Sequence, residues 1–333
     1  MRRDTLFCVS RLYFKKVKNM KIEYITTKLD NGKSLKHILQ KKLYISNILL
    51  FNLVKFNKIY INGKNMSENI YLSSRIESEE KITVLLDSET DINKSNIKYS
   101  DKFKKYDFKL DILYEDEYIL AVNKPAYMAS HPSASDYLTT LSNAAYSYLD
   151  VQGINTIHLI TRLDKNTSGV CIFAKHKYVQ ELFTRKKDII GLKKEYITIV
   201  NNIVKEDHGI IEKNIIRAEN SIILRKVCNA PLGDFAKTEY FKIKDNKDEN
   251  YSVLKIILHT GRTHQIRVHM SSISHTLLGD DLYATNEEKN YISNKIKRQA
   301  LHARSLTFYH PITGEYIEII APVPDDIKKL IDF

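Results

Sequence analysis

Apolar residues recur along this chain in short blocks, and their spacing changes from one part of the chain to the next. Leu35, Ile38 and Leu39 fall at helical spacing behind Ser34, a residue suited to an N-cap. Ile48, Leu49, Phe51 and Leu53 mark a second helical stretch near 47–56. Lys58-Ile59-Tyr60-Ile61 then reads as a strand, Asn62-Gly63 as a tight turn and Lys81–Leu86 as another strand. Residues 21–87 are therefore expected to form a small α+β domain. Residues 1–20 are basic, and Arg11 and Lys15 interrupt their apolar stretch, which makes a poor secretory signal. They read as a basic extension, with structure-like patterning beginning beside Met20. Residues 88–109 are rich in Lys, Asp, Asn and Ser and predict a linker.

From Leu110 onward the pattern becomes strand-rich. Short β-type runs occupy Tyr118–Val122, Ile157–Ile160, Val170–Ala174, Tyr196–Val200, Val253–Leu258 and Tyr316–Ile320. Helical patterns fall near Leu138–Leu149 and Val179–Lys186. Strands and helices do not alternate regularly and no internal period recurs, so residues 110–333 predict one mixed α/β body.

Composition sharpens this picture in two respects. With 333 residues the chain is long enough for two domains, and no run approaches the ~18–20 apolar residues of a membrane span. Cys8, Cys171 and Cys228 are too scattered for a disulfide framework or a zinc site, which suggests a reducing, cytoplasmic setting. Charge is the second. Residues 1–110 carry 23 basic and 12 acidic side chains, whereas residues 111–333 carry 29 and 28. Nearly all of the net +12 thus sits in the first third, as expected of a polyanion-binding end attached to a body with another task.

The chain has only ten glycines, so their positions are informative. Gly169 closes Ile160-Thr161-Arg162-Leu163-Asp164-Lys165-Asn166-Thr167-Ser168-Gly169, with strand-like residues on either side. Such a loop projects its carboxylate, Asp164, into a cleft while the framework holds it, although a simple hairpin would leave the same trace. Gly261 stands in Leu258-His259-Thr260-Gly261-Arg262-Thr263-His264-Gln265-Ile266-Arg267-Val268-His269. There Thr263 is placed to cap a following helix, and the turn can present Arg262 to an anion. The three histidines of this segment do not share one helical face and lack a companion carboxylate, so no metal site is expected. Val122-Asn123-Lys124-Pro125 with His131-Pro132, Lys194-Glu195-Tyr196, and Ala300-Leu301-His302-Ala303 with His310-Pro311 complete the set.

In this order and spacing the five segments resemble the RluA-type family of pseudouridine synthases, over about residues 110–325. The resemblance implies a pseudouridine synthase fold, with a central, mostly antiparallel mixed sheet. It also implies Asp164 as the catalytic aspartate, Tyr196 as the active-site tyrosine and Arg262 as its basic partner. Arg162, Leu163, His264 and Lys124 are the expected substrate and RNA contacts. Residues 30–86 are similar to the small RNA-binding domain of ribosomal protein S-four, although Asn47 replaces its usual arginine. Thr161, Tyr127, Asn201 and Asn202 also depart from the family pattern, and they bear on RNA contacts rather than on the reaction.

Moving a ribose from a base nitrogen to a ring carbon needs no redox change and no energy input, so no cofactor is expected. A carboxylate can act as nucleophile or base and leave again. Arg262 would hold that carboxylate in one orientation. Tyr196 would stack on the freed uracil or serve as a base. Arg162 would fill the gap left by the flipped nucleotide. The expected partner is RNA, ribosomal first and transfer RNA second. No membrane association and a monomer are expected. The rival reading is a non-catalytic RNA-binding or ribosome-assembly factor of the same fold.

Overall fold

A computed structural model of the chain describes residues 20–66, 71–87, 103–133, 136–154, 156–219, 221–292 and 295–332. The extension (1–19) and residues 88–102 of the expected linker lie outside the described residues.

Alternating burial in β1 (Met20–Ile25) and β4 (Lys81–Leu86) gives each strand one apolar face. With β2 (Ile59–Ile61) and β3 (Lys64–Asn65) they form an antiparallel sheet in the order β1-β4-β2-β3. Asn62 and Gly63 both take positive φ, 50° and 81°, which matches the twist of the β2–β3 hairpin. The apolar face is covered by the helical turn Leu35–His37, which runs on as a π-helix over Ile38–Lys42, and by the helix Asn47–Lys55. Both are capped by serine, the first as the sequence suggests: Ser34 Oγ accepts from His37 N and Ser46 Oγ from Leu49 N.

This front module is seated on the body rather than tethered to it. Tyr178 and Glu181 lie on the helix Lys177–Arg185. Tyr178 Oη donates to the Leu43 carbonyl at 2.8 Å, and Ser46 Oγ donates to Glu181 at 2.8 Å. Leu43, Ile45, Tyr178, Leu182 and Phe183 belong to one continuous apolar cluster. The linker expectation also needs correction over its described end. Phe103 is buried and stacks on Tyr146, and Tyr106 N donates to Ser147 Oγ. The helix Leu141–Val151 supplies an apolar face that these aromatic side chains cover.

The body is built on a ten-stranded sheet. It begins with β5 (Ile112–Glu115), β6 (Ile119–Lys124), β7 (His158–Leu159), β8 (Ser168–Ala174) and β9 (Lys193–Asn201). β10 (His208–Glu212) precedes a separate ribbon of β11 (Asn214–Arg217) and β12 (Arg225–Cys228). Then come β13 (Lys237–Asn246), β14 (Tyr251–Leu258), β15 (Leu301–Tyr309) and β16 (Tyr316–Ile320). The sheet order is β10-β13-β14-β9-β15-β8-β6-β5, with β16 beside β15 and β7 beside β8. Every pairing is antiparallel except β8 with β15, where His302 faces Ser168 and Ala303 faces Gly169. The sheet is therefore mixed and mostly antiparallel, as the resemblance implies. The strand that joins its halves, β15, has no counterpart among the predicted strands.

Gly169 explains why that parallel junction forms. Its φ is +112°, and a Cβ there would lie 2.2 Å from the Ala303 carbonyl oxygen. Only glycine lets the two backbones approach so closely. The loop ending at Gly169 carries Asp164, so the junction sets the depth at which the carboxylate stands. No helix of the described residues is long and apolar enough to cross a membrane.

Candidate active site

A cleft of about 650 Å³ opens at this junction, lined by Arg162, Leu163, Asp164, Tyr196, Arg262, His264 and Arg267 among others. Asp164 lies in the loop between β7 and β8, and its backbone carbonyl accepts from Thr167 N to close a turn. The Asp164 side chain is 28% exposed to the cleft.

The neighbouring loop residues are pinned from behind. Ser130 Oγ accepts from Leu163 N and donates to the Leu163 carbonyl. Lys124 Nζ donates to the carbonyls of Pro125, Met128 and Lys165 at 2.8, 2.8 and 3.0 Å. Lys124 is wholly buried, and burial pulls its pKa down to about 8. The expectation that Lys124 contacts RNA is therefore corrected: its ammonium is spent on three carbonyls inside the protein. Leu163 faces the cleft with 8% exposure, and Arg162 is exposed at its mouth.

The basic partner is also not the one the sequence suggested. Arg262 is 42% exposed; its Nε donates to the Phe235 carbonyl and its Nη1 lies 3.7 Å from Asp234. Arg267 instead approaches Asp164, with Nη1 3.6 Å from Oδ2. The helix expected to begin after Thr263 begins after His264, which takes a left-handed conformation with φ 56°. That turn sends Arg262 outward and leaves Arg267 facing the body from the helix Gln265–Ser271. A buried guanidinium needs a counterion, and Asp280, itself fully buried, supplies a bidentate one at 2.6 and 2.7 Å. The sequence carried a signal for this. An arginine inside the apolar run Ile266-Arg267-Val268 calls for a buried acid elsewhere in the chain.

His264 stands where a substrate contact is expected, with Nε2 3.9 Å from Asp164 Oδ2. Tyr283 Oη accepts from Arg225 N and so has its own proton to give to His264 Nδ1, 3.0 Å away. Burial pushes the His264 pKa below its ordinary value, while the nearby Asp164 charge acts the other way. The other two histidines of the segment point elsewhere: His259 pairs with Glu239, and His269 is buried against Thr238 and the Lys213 carbonyl.

Tyr196, 7% exposed, comes from β9, where it faces Ile256 on one side and Ala303 on the other. Burial and then the charge of Asp164 push its phenol far above the ordinary value, so it stays protonated. Lys194 also lines the cleft and went unremarked as a site residue in the sequence; burial lowers its pKa.

The chain is similar to several known proteins. Residues 118–272 match the family model described as RNA pseudouridylate synthase. An uncharacterized RNA pseudouridine synthase of Bacillus subtilis is 39% identical over 223 residues, 67% of this chain and 75% of that protein. Ribosomal large subunit pseudouridine synthase D of Pasteurella multocida is 33% identical over 291 residues, 84% of each chain. Among solved structures, human RNA pseudouridylate synthase domain containing 1 shares the fold, with a TM-score of 0.52 and 20% identity, covering 67% of this chain and 94% of that one.

Proposed function

The chain belongs to the RluA-type family of RNA pseudouridine synthases, isomerases that convert uridine to pseudouridine in RNA, and on that premise we propose that its substrate is large-subunit ribosomal RNA and that Asp164 is the catalyst. The observation that carries the second claim is the placement of Asp164. Its carboxylate, 28% exposed on a loop pinned from behind, faces a cleft of nucleotide size and meets a buried, oriented guanidinium. The ribosomal target is supported by the names of relatives such as the Pasteurella protein.

In this reading the target uridine leaves the RNA stack and enters the cleft, with Arg162 at the mouth filling the vacated space. Asp164 acts on the bound nucleoside; the base detaches, turns and is rejoined to the ribose through a ring carbon. Arg267 holds the carboxylate in place, because Asp280 fixes the guanidinium and leaves Nη1 to reach Asp164. Tyr196 supplies an aromatic wall for the freed uracil. Its protonated phenol favours this stacking role over that of a base.

Mapping pseudouridines in total RNA, with and without the protein, tests the reading. One or more sites in large-subunit RNA should vanish without it, return with the wild type and stay absent with Asp164→Asn. Lost sites confined to transfer RNA would overturn the ribosomal target. Sites restored by Asp164→Asn would overturn the catalyst.

A further inference from the structure

Behind the catalytic loop lies a further buried cation, Arg298, outside the segment that matches the family model. Arg298 is about 2% exposed and uses all three of its nitrogens. Nε and Nη2 form a bidentate pair with Asp326 at 2.7 and 2.9 Å. Nη1 donates to the carbonyls of Asn166, Gln299 and Leu301 at 3.1, 3.3 and 3.2 Å. Asn166 is two residues from Asp164. The next residue, Gln299, donates from Nε2 to Thr167 Oγ1 at 3.3 Å.

The same segment touches the other half of the site. A Cβ on Gly279 would lie 2.3 Å from the Arg298 carbonyl oxygen, so the two backbones are in direct contact. Ala300 N donates to the Leu278 carbonyl at 2.8 Å. Asp280, which holds Arg267, follows Gly279 at once. Residues 298–300 are thus wedged between the loop that carries Asp164 and the turn that carries the Arg267 counterion.

We infer that Arg298, with Asp326 of the C-terminal helix Asp325–Ile331 as its counterion, is a positioning element that sets the separation of Asp164 and Arg267. The inference rests on Asp164 being the catalyst. A plain stability role would lower the melting temperature with no separate effect on the rate of the folded protein. The fork geometry is spent on two directions at once, toward the helix and toward the catalytic loop. A small misplacement of a reacting group costs on the order of 10²-fold in rate without loosening the substrate. Since Arg298 and Asp326 touch neither cleft nor mouth, their loss should act on kcat and spare RNA binding.

The test uses the full chain with a target RNA, measuring single-turnover rate, RNA Kd and melting temperature for Asp326→Asn, Asp326→Glu and Arg298→Lys. Asp326→Asn is expected to fold, its side chain being 39% exposed, and to lose about 10–100-fold in rate with Kd within about threefold of wild type. Asp326→Glu should recover most of that rate by restoring the counterion. Arg298→Lys should match Asp326→Asn if it folds. A folded Asp326→Asn with wild-type rate, whatever its melting temperature, would overturn the inference. So would a loss carried wholly by Kd. An active Asp164→Asn would instead strike the catalytic reading itself, which keeps the two failures apart.

Discussion

Arg262 and Arg267 stand five residues apart and both line the cleft, yet Arg262 meets Phe235 and Asp234 while Arg267 meets Asp164 and Asp280. His264 takes a left-handed conformation, so the helix starts one residue later than the Thr263 cap predicts. Arg262 was expected as the partner only through the resemblance of Thr260-Gly261-Arg262-Thr263-His264-Gln265-Ile266-Arg267-Val268-His269, a segment that carries two arginines and does not by itself say which one turns inward. Two substitutions separate the pair. Arg267→Lys keeps the charge but loses the bidentate hold of Asp280, so the single-turnover rate should fall by about 10²-fold while RNA Kd stays within a few-fold. Arg262→Ala should weaken RNA binding and reduce its salt dependence, with the saturated rate within a few-fold of wild type. A slow Arg262→Ala alongside a fast Arg267→Lys would reverse the assignment. Asp164 stands in the cleft, where the resemblance implied it; its strand-flanked, glycine-closed setting alone would suit a simple hairpin as well. Lys124 was misread because a lysine inside NKP looks like a surface cation until three backbone carbonyls are found around it.

Among the elements, β8 and β15 matter most for the site, because their parallel pairing is the place where the antiparallel order breaks. Gly169→Ala should therefore be costly. The added methyl meets the Ala303 carbonyl and the backbone sits at φ +112°, so overpacking and strain together should cost about 3–5 kcal/mol, measured by denaturant unfolding. An Ala variant within about 1 kcal/mol of wild type would show that β15 can give way. His302 on β15 makes a pH prediction. Burial pushes its pKa down to about 4, and Nδ1 meets Ser168 Oγ at 2.9 Å. The unfolded chain takes up a proton near pH 6.5, whereas the folded protein resists until about pH 4. Stability should then fall as pH drops through this window, by up to about 3 kcal/mol from this group, and level off below it. In His302→Gln the acid-side slope should be shallower; an unchanged slope would remove His302 as a cause. β15 itself was not legible as a strand. Leu301-His302-Ala303-Arg304 mixes polar and apolar residues, and His302 is fully buried with Nδ1 against Ser168 Oγ. The front hairpin was legible because Asn62-Gly63 enforces its turn locally.

At the scale of the whole molecule, the uneven charge of the sequence meets a structure in which the described part of the front module is seated on the body. Lys28, Lys36, Lys41 and Lys64 are exposed on the front module, and that module shares an apolar cluster with the helix Lys177–Arg185. Sequence patterning showed both parts, since each has its own periodicity. It could not show their docking, because Tyr178 falls just before the helical pattern near Val179–Lys186 and nothing in the sequence pairs it with Leu43. Two variants distinguish charge from docking. Removing residues 1–95 takes away most of the net positive charge and uncovers Tyr178 and its neighbours. RNA affinity should fall, and its logarithmic salt slope should flatten by ~0.9 for each phosphate no longer neutralised. Melting temperature should drop by several degrees while the ten-stranded sheet persists. Tyr178→Ala in the full chain keeps every charge but loosens the seat. Its affinity should also fall, because a loosened grip must be ordered on binding, yet its salt slope should stay near that of wild type. If the truncated protein kept its full salt slope, the front module would not be the RNA grip. If Tyr178→Ala bound RNA as tightly as wild type, the fixed orientation of that module would contribute nothing to recognition.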